Sequence, residues 1–516
     1  MGTTEATSES RPLDRMLRAL GGIERLGNRL PHPFWLFVIL SAVLGLASWG
    51  LAAAGVSAVN PATSKTVAVK NLLSADGVRM MVGDAIENFT SFPPLGTILV
   101  VMLGVAVAER SGLLAAVLRS GVSKVSPRWV TFVLAFTGMV AHVASDAAYV
   151  VLIPLGALAF RAVGRSPVLG VVVAFVSVSA GYDASPLVTP VDAILSGLTT
   201  AAAHTVDPAY VVTPLANYFF SLASSLVLAA TITLVTEKLL ARRAEALPAD
   251  EDAEALKDDL GELALRPEER RGLRAALVTL VVFVAAVVLA VLPSGSPLRG
   301  EGGSIVRSPL LTSIAVFLAL AFLAVGWAYG RAAGTVTSGR DVPAFMAHGM
   351  RELAPILVLF FAIAQFLAYF KWTGIGEVIA IDGAGLLKSA GVTGPVVFLG
   401  ILVVVTVINL VVTSGSAQWA LVGPVFVPML MLLDIPPEYT QALYRIADSC
   451  TNAITPMSPY FVMALGFLQR YRRSAGIGTL ASMTIPLSLT LLVVWTVLFF
   501  VFWWLGVPLG PGAPVR

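Results

Sequence analysis

Gly181-Tyr-Asp183-Ala-Ser185-Pro186-Leu-Val-Thr189-Pro190 and, 270 positions later, Thr451-Asn452-Ala-Ile-Thr455-Pro456 each interrupt an apolar run long enough to cross a bilayer. Pro186 and Pro456 hold the same place in the two breaks. In lipid, the backbone groups freed by a break find no water. Irregular backbone therefore survives at that depth only where protein or a wet cavity satisfies it. Paired breaks of this kind point to a secondary carrier with a site near the membrane midplane.

The correspondence spreads outward from the breaks. Pro154 and Pro424, and Pro167 and Pro437, keep the 270-residue offset, as do Tyr149 with Trp419, Asp146 with Ser416, and Ser185 with Thr455. Further upstream, Pro93 and Gly112 match Pro355 and Gly374 at an offset of 262. Basic residues flank the runs asymmetrically, and the side richer in arginine stays cytoplasmic. By that rule the repeat beginning at Pro93 opens outside and the one near Leu353 opens inside. The repeats are therefore expected to be inverted.

The rest of the chain agrees. Of its 516 residues 57% are hydrophobic and 13% charged, against about 25% charged in a soluble domain. Runs at 34–54, 93–118, 168–200, 210–240, 273–292, 308–330, from 353, 438–469 and 479–507 are expected to span. Those at 130–160 and 395–433 are interrupted at their middles, and their ends lie on one side, as in re-entrant hairpins. The expected fold is an all-α polytopic membrane protein with nine transmembrane helices and two hairpins. Its parts are a cytoplasmic segment 1–33, a membrane half 34–240 with repeat 93–200, and a charged cytoplasmic linker 241–272. A second half 273–507 with repeat 353–469 and a tail 508–516 follow. The polar stretch Met1 to Pro12 does not read as a cleavable signal peptide.

Other function classes fit poorly. A net charge of +3 does not suggest nucleic acid, and one cysteine, Cys450, allows no internal disulfide. Four scattered histidines argue against a histidine metal site. No Walker sequence supplies ATP-driven transport, and no triad or paired-aspartate motif supplies catalysis. A channel and an intramembrane enzyme are the rivals to a carrier.

Ionisable residues inside spans are costly and are functional hypotheses by default. Asp146, Asp183, Asp192 and Asp448 lie in or beside the breaks, with Arg445 one helical turn before Asp448 and so placed to pair with it. Asp146 and Asp183 also read as plain helix caps, and Asp192 as a first-turn residue favoured by the helix dipole. Ser145, Asn409, Thr413, Ser414, Ser416, Asn452 and Thr455 bring neutral oxygens suited to a hard cation. Each alone reads first as a partner for freed backbone, and it is their clustering that points to a cation. Trp419 and Tyr149 offer aromatic faces. His142 and Cys450 read as buried packing residues. The aspartates suit a coupled proton, and the hydroxyls and amides suit sodium.

Three strings carry a family resemblance: Ala144-Ser-Asp-Ala-Ala-Tyr-Val-Val-Leu-Ile-Pro154, Ser414-Gly-Ser-Ala-Gln-Trp419 and Tyr444-Arg-Ile-Ala-Asp-Ser-Cys-Thr-Asn-Ala-Ile-Thr-Pro456. With them the chain resembles the AbgT family of p-aminobenzoyl-glutamate transporters over about residues 12–507. The resemblance implies a homodimer in the bacterial inner membrane, with no cofactor beyond a coupling proton or sodium ion. It implies transport of p-aminobenzoyl-glutamate, or efflux of p-aminobenzoate and sulfonamide-type antimetabolites. Another small organic anion such as a dicarboxylate is the alternative. The family's substrate pathway falls on Asp192, Ser416, Trp419, Arg445, Asp448 and Pro456. Ion coupling is expected of Ser145, Asp146, Asp183, Asn409, Ser414, Asn452 and Thr455, with sodium at Asn409, Asn452 and Asp448. Gln418 stands where the family often has lysine.

Overall fold

Proline and glycine punctuate the helices of this chain. In the computed structural model of the protein, which describes residues 31–59, 65–122, 125–144, 147–245, 249–250, 264–305, 308–392, 394–455 and 457–515, many helices open on a proline. Pro33, Pro93, Pro167, Pro190, Pro267, Pro395, Pro437 and Pro459 are all first helical residues. Proline suits that position because its missing N–H would be unpaired there anyway.

The first half begins with α1 (Pro33–Ala53), followed by a two-stranded antiparallel hairpin, β1 (Ser57–Val59) and β2 (Thr66–Ala68). Two short helices follow, α2 (Ala75–Gly83) and α3 (Ala85–Thr90). Then come α4 (Pro93–Arg110) and α5 (Leu113–Val122). The helical pair α6 (Val130–Val140) and α7 (Ala147–Ala162) is joined through a 3-10 turn at Ala141–Ala144. The broken pair is α8 (Pro167–Ser179) and α9 (Pro190–Ala203), after which α10 (Tyr218–Val235) closes the half through a π turn.

The second half has α11 (Pro267–Val291), α12 (Ile314–Ala333), α13 (Asp341–Thr373) and α14 (Ile375–Ser389). Its interrupted pair is α15 (Pro395–Asn409) with α16 (Gly415–Met431), and its broken pair is α17 (Pro437–Asn452) with α18 (Pro459–Tyr471). The last helix is α19 (Ile477–Leu505). Seven helices among the described residues are long and apolar enough to cross a membrane.

The expected breaks are where the sequence put them, and several boundaries move. The run at 93–118 is two helices, not one. Ser111-Gly112 separates them, with Gly112 at φ +88°, and Gly374 at φ +73° separates α13 from α14 in the same way. Only glycine takes such angles without a Cβ penalty, so the sequence match of these two glycines has a conformational cause. The span expected over 210–240 becomes helical only at Tyr218. The span expected from 353 starts at Asp341, and the one expected from 273 starts at Pro267, inside the charged linker. Charged side chains at a helix end reach water, so polarity alone set those boundaries too far into the apolar run. The hairpin tip Ser145-Asp146, the N-terminal segment 1–30, stretches 246–248 and 251–263 of linker 241–272 and Pro456 lie outside the described residues.

Each interrupted pair packs on the helix that follows it: α6 and α7 on α8, and α15 and α16 on α17. Elsewhere small residues bring helices close. A Cβ at Gly104 would lie 2.1 Å from the Ala319 carbonyl oxygen, and one at Gly326 would lie 2.6 Å from the Ala108 nitrogen. This is how α4 and α12 pack without an aqueous hydrophobic drive.

Candidate functional site

Helices α8 and α17 are the centre of the molecule. Every residue of Pro167–Ser179 is buried, and so is every residue from Pro437 to Thr451. The two differ in chemistry. α8 is apolar, while α17 buries Glu438, Gln441, Arg445, Asp448 and Ser449. Buried polar groups require partners, and these partners come from both halves. Glu438 accepts from the Tyr210 hydroxyl at 3.0 Å, and Gln441 accepts from Thr199 at 2.7 Å.

Arg445 makes the most consequential of these contacts. Its Nη2 lies 2.7 Å from Asp192 Oδ1, its Nη1 lies 3.4 Å from Asp183 Oδ1, and its Nε donates to Asn217 Oδ1 at 3.2 Å. All three partners belong to the first half. Asp192 is fixed by the start of α9: its Oδ2 accepts from the Thr189 amide at 2.7 Å and from the Thr189 hydroxyl at 2.9 Å. It is therefore both a helix-start residue and an ion partner. Asp183 caps no helix. Its amide donates to Ser449 Oγ at 3.1 Å, and its carboxylate faces Arg445 and the Ser449 hydroxyl.

The pairing of Arg445 with Asp448 expected from their spacing does not form. No ion pair joins them among the described residues. The guanidinium is long enough to reach across to the first half, where two carboxylates compete for it. Asp448 instead accepts from the Tyr444 hydroxyl at 3.2 Å, and its carboxylate packs on Gly415, where a Cβ would lie 3.2 Å from Oδ2.

One turn later the Asn409 side chain meets three oxygens. Its Nδ2 lies 2.6 Å from the Asp448 carbonyl, 2.7 Å from Thr451 Oγ1 and 3.0 Å from Asn452 Oδ1. Its own Oδ1 is buried and has no hydrogen-bond partner among the described residues. Rotating the amide about its last side-chain bond would add that oxygen to the other three. This oxygen-rich cluster suits a hard monovalent cation. Among the described residues no group of three or more His, Cys, Asp and Glu side chains is placed to hold a metal. Thr455 is spent on backbone, donating to the Leu410 carbonyl at 3.0 Å.

Trp419 is fully buried. Its indole N–H donates to Thr199 Oγ1 at 3.0 Å, and its ring centre is 4.5 Å from that of Tyr444. Its ring packs inside the protein rather than lining an open face. Tyr149, at the matching position of the first repeat, stacks on Tyr460 at 4.0 Å. Gln418 is also buried, donating to the Val405 carbonyl at 2.9 Å. Ser414 and Ser416 are half-buried at the break between α15 and α16. His142 packs against the Tyr182 ring, and Cys450 is buried.

The structure thus unites Asp183, Asp192 and Arg445 in one cluster, and brings Asn409 of α15 to Asp448 and Asn452 of α17 in a neighbouring one. Sequence reasoning missed Asn217, Tyr444, Ser449 and Thr199. Tyr444 and Ser449 lie within a turn of the flagged pair. Asn217 and Thr199 sit in runs with no local signal. A pocket opens on Arg445, Asp183 and Asp192, with Leu187, Thr189 and Tyr218 among its other walls. It is narrow, with space for roughly one water molecule.

Comparison with known proteins gives this geometry a context. Residues 18–516 match the model of the AbgT transporter family. The p-aminobenzoyl-glutamate transport protein of Escherichia coli strain K12 is 39% identical over 493 residues, covering 95% of this chain and 96% of that one. The crystal structure of the Alcanivorax borkumensis YdaH transporter superposes with a TM-score of 0.87 at 42% identity, covering 93% of this chain and all of that one. Neisseria gonorrhoeae MtrF, whose structure is described as illuminating a class of antimetabolite efflux pumps, gives 0.90 at 41%, covering 96% and 100%.

Proposed function

Since the chain belongs to the AbgT transporter family and is a membrane transporter rather than an enzyme, we propose that it is an ion-coupled carrier of p-aminobenzoyl-glutamate. Export of p-aminobenzoate and sulfonamide-type antimetabolites belongs to the same proposal. The relatives' described roles support the substrate class.

The observation that carries the mechanism is that Arg445 is held by Asp192 and Asp183 from the other half. A guanidinium is the side chain best shaped for a carboxylate, and here two carboxylates occupy it. An incoming acidic solute must displace one of them. A displaced carboxylate in a buried site needs a proton or a cation. Substrate binding and ion binding are thereby linked through one side chain. Asp448 adds a third carboxylate against the single guanidinium, which sharpens the need for a counter-ion. In this scheme Asp192 and Asp183 keep Arg445 oriented, the role that helical spacing had suggested for Asp448.

A proton on Asp192 or Asp183 is one way to balance the site. Sodium among Asn409, Asn452, Thr451 and the Asp448 carbonyl is the other, and the unpartnered Asn409 Oδ1 favours it. Ser145, Asp146 and Ser414 at the breaks, together with Thr455, belong to the same coupling proposal, and Ser416 and Pro456 to the substrate pathway. The narrow pocket requires the two halves to part before a solute of this size enters, which suits a carrier better than a channel.

The nine-span, two-hairpin reading is supported by seven long helices together with two broken pairs. The division into halves 34–240 and 273–507, inverted with respect to each other, is proposed with it, as are a homodimer and the bacterial inner membrane. The sparsely covered α1 and α11, with 22% and 11% of their spanning windows buried, leave apolar surface for lipid or a second copy.

The test is transport in proteoliposomes with the proton and sodium gradients collapsed separately. Accumulation that depends on one gradient and saturates with solute supports the proposal. Conductance at channel rates, or solute recovered chemically altered, would overturn it.

A further inference from the structure

We propose that the apolar crevice behind Leu187 is a lateral portal, through which lipid-dissolved aromatic solutes reach the Arg445 pocket. This rests on the carrier reading above and adds a route and a solute class to it.

The crevice encloses about 490 Å³ and lies between α5, α11, α12 and the 3-10 turn after α6. Its walls are largely apolar, with Leu113, Val117, Ala144, Ala276 and Phe322 typical. Its outer rim is Leu277 and Leu280 on α11, 62% and 42% exposed on a helix whose apolar surface is largely uncovered. A lining of this kind in a membrane protein admits hydrocarbon or an aromatic ring and gives an ionised solute nothing to pair with.

Its inner wall decides what it is for. Leu187 lines this crevice and also lines the narrow pocket that holds Arg445, Asp183 and Asp192. It sits in the irregular stretch between α8 and α9, and is 46% exposed among neighbours that are mostly buried. One side chain outside any helix is thus shared by an apolar cavity with an exposed rim and the pocket of the buried charge cluster. A rotamer change at a single leucine is a small barrier. The occupant that fits both chambers has an apolar ring and one weakly acidic group: the ring crosses the crevice and the acid arrives at Arg445. A dianionic solute gains nothing from this path.

Two measurements test the portal. In proteoliposomes, the rim variant Leu277→Trp/Leu280→Trp should lower transport of a radiolabelled aryl sulfonamide by about tenfold, while p-aminobenzoyl-glutamate stays within about twofold of wild type. Equal effects on both solutes, or none, overturn the portal. Independently, Val117→Cys should react with N-ethylmaleimide and be protected by the sulfonamide but not by p-aminobenzoyl-glutamate, with wild type, whose Cys450 is buried, as background. Absence of sulfonamide protection, including labelling blocked by lipid acyl chains alone, overturns it. If wild type moves neither solute, the carrier reading falls, and the labelling experiment still decides what the crevice binds.

Discussion

Arg445 Nη2 and Asp192 Oδ1, 2.7 Å apart, tie a helix of the second half to a helix start of the first. Both side chains are buried, and Asp192 is held in turn by Thr189. In the proposed mechanism this contact joins the two halves that move against each other. Its loss should be felt in both stability and transport.

Arg445→Ala leaves Asp183 and Asp192 buried without their cation. Breaking a buried pair by removing one partner costs about 3–5 kcal/mol, so the purified variant should melt well below wild type in detergent. Arg445→Lys keeps the charge and loses the fork. It should retain most of the stability while transport falls by about tenfold or more. Equal melting temperatures for Arg445→Ala and wild type would show that the pair is structurally idle.

Trp419 separates packing from recognition. Its ring is enclosed, so Trp419→Ala should create a cavity and cost about 3–5 kcal/mol. Trp419→Phe fills most of that space and forfeits the indole bond to Thr199, a loss of about 1 kcal/mol. Thermal melts of the two variants check this. A stable, monodisperse Trp419→Ala protein that fails only in transport would mean the ring meets substrate in another conformation.

Glycine packing between α4 and α12 gives a third prediction. Gly104→Val places a Cβ against the Ala319 backbone, and overpacking there should cost about 1–3 kcal/mol or more. Gly96→Ala, on the same helix with open space around it, should be neutral or stabilising by about 1 kcal/mol. Melting curves of the pair, both measured against wild type, distinguish close approach from a general helix-propensity effect.

The fold was legible because its decisive features are local. Proline at a helix start, glycine at positive φ and an apolar run of fixed length all leave marks in the chain, so both breaks and the Gly112–Gly374 match could be read directly. Helix ends were less legible. Asp341 and Pro267 begin helices among charged residues, where polarity mimics a loop. The site was half legible. Its ionisable members announced themselves by their cost in lipid, but partner choice did not. Arg445 and Asp448 share a helical turn, and spacing favoured their union. The cross-half contacts to Asp183, Asp192 and Asn217, more than 200 positions away, have no trace in local sequence. Trp419 reads from sequence either as an aromatic face or as packing, and its burial on all sides is invisible from one helix's pattern.

The central claim is that an acidic solute and Asp192 compete for Arg445. Asp192→Asn tests it most directly, because the amide keeps the shape and the Thr189 contact while giving up the charge. Equilibrium binding of p-aminobenzoyl-glutamate and its gradient-driven accumulation are measured side by side on the same preparation. The account predicts affinity at or above wild type, since Arg445 is released, together with accumulation reduced by about tenfold or more. A folded Asp192→Asn protein that accumulates solute like wild type, or one that no longer binds it, would contradict the account.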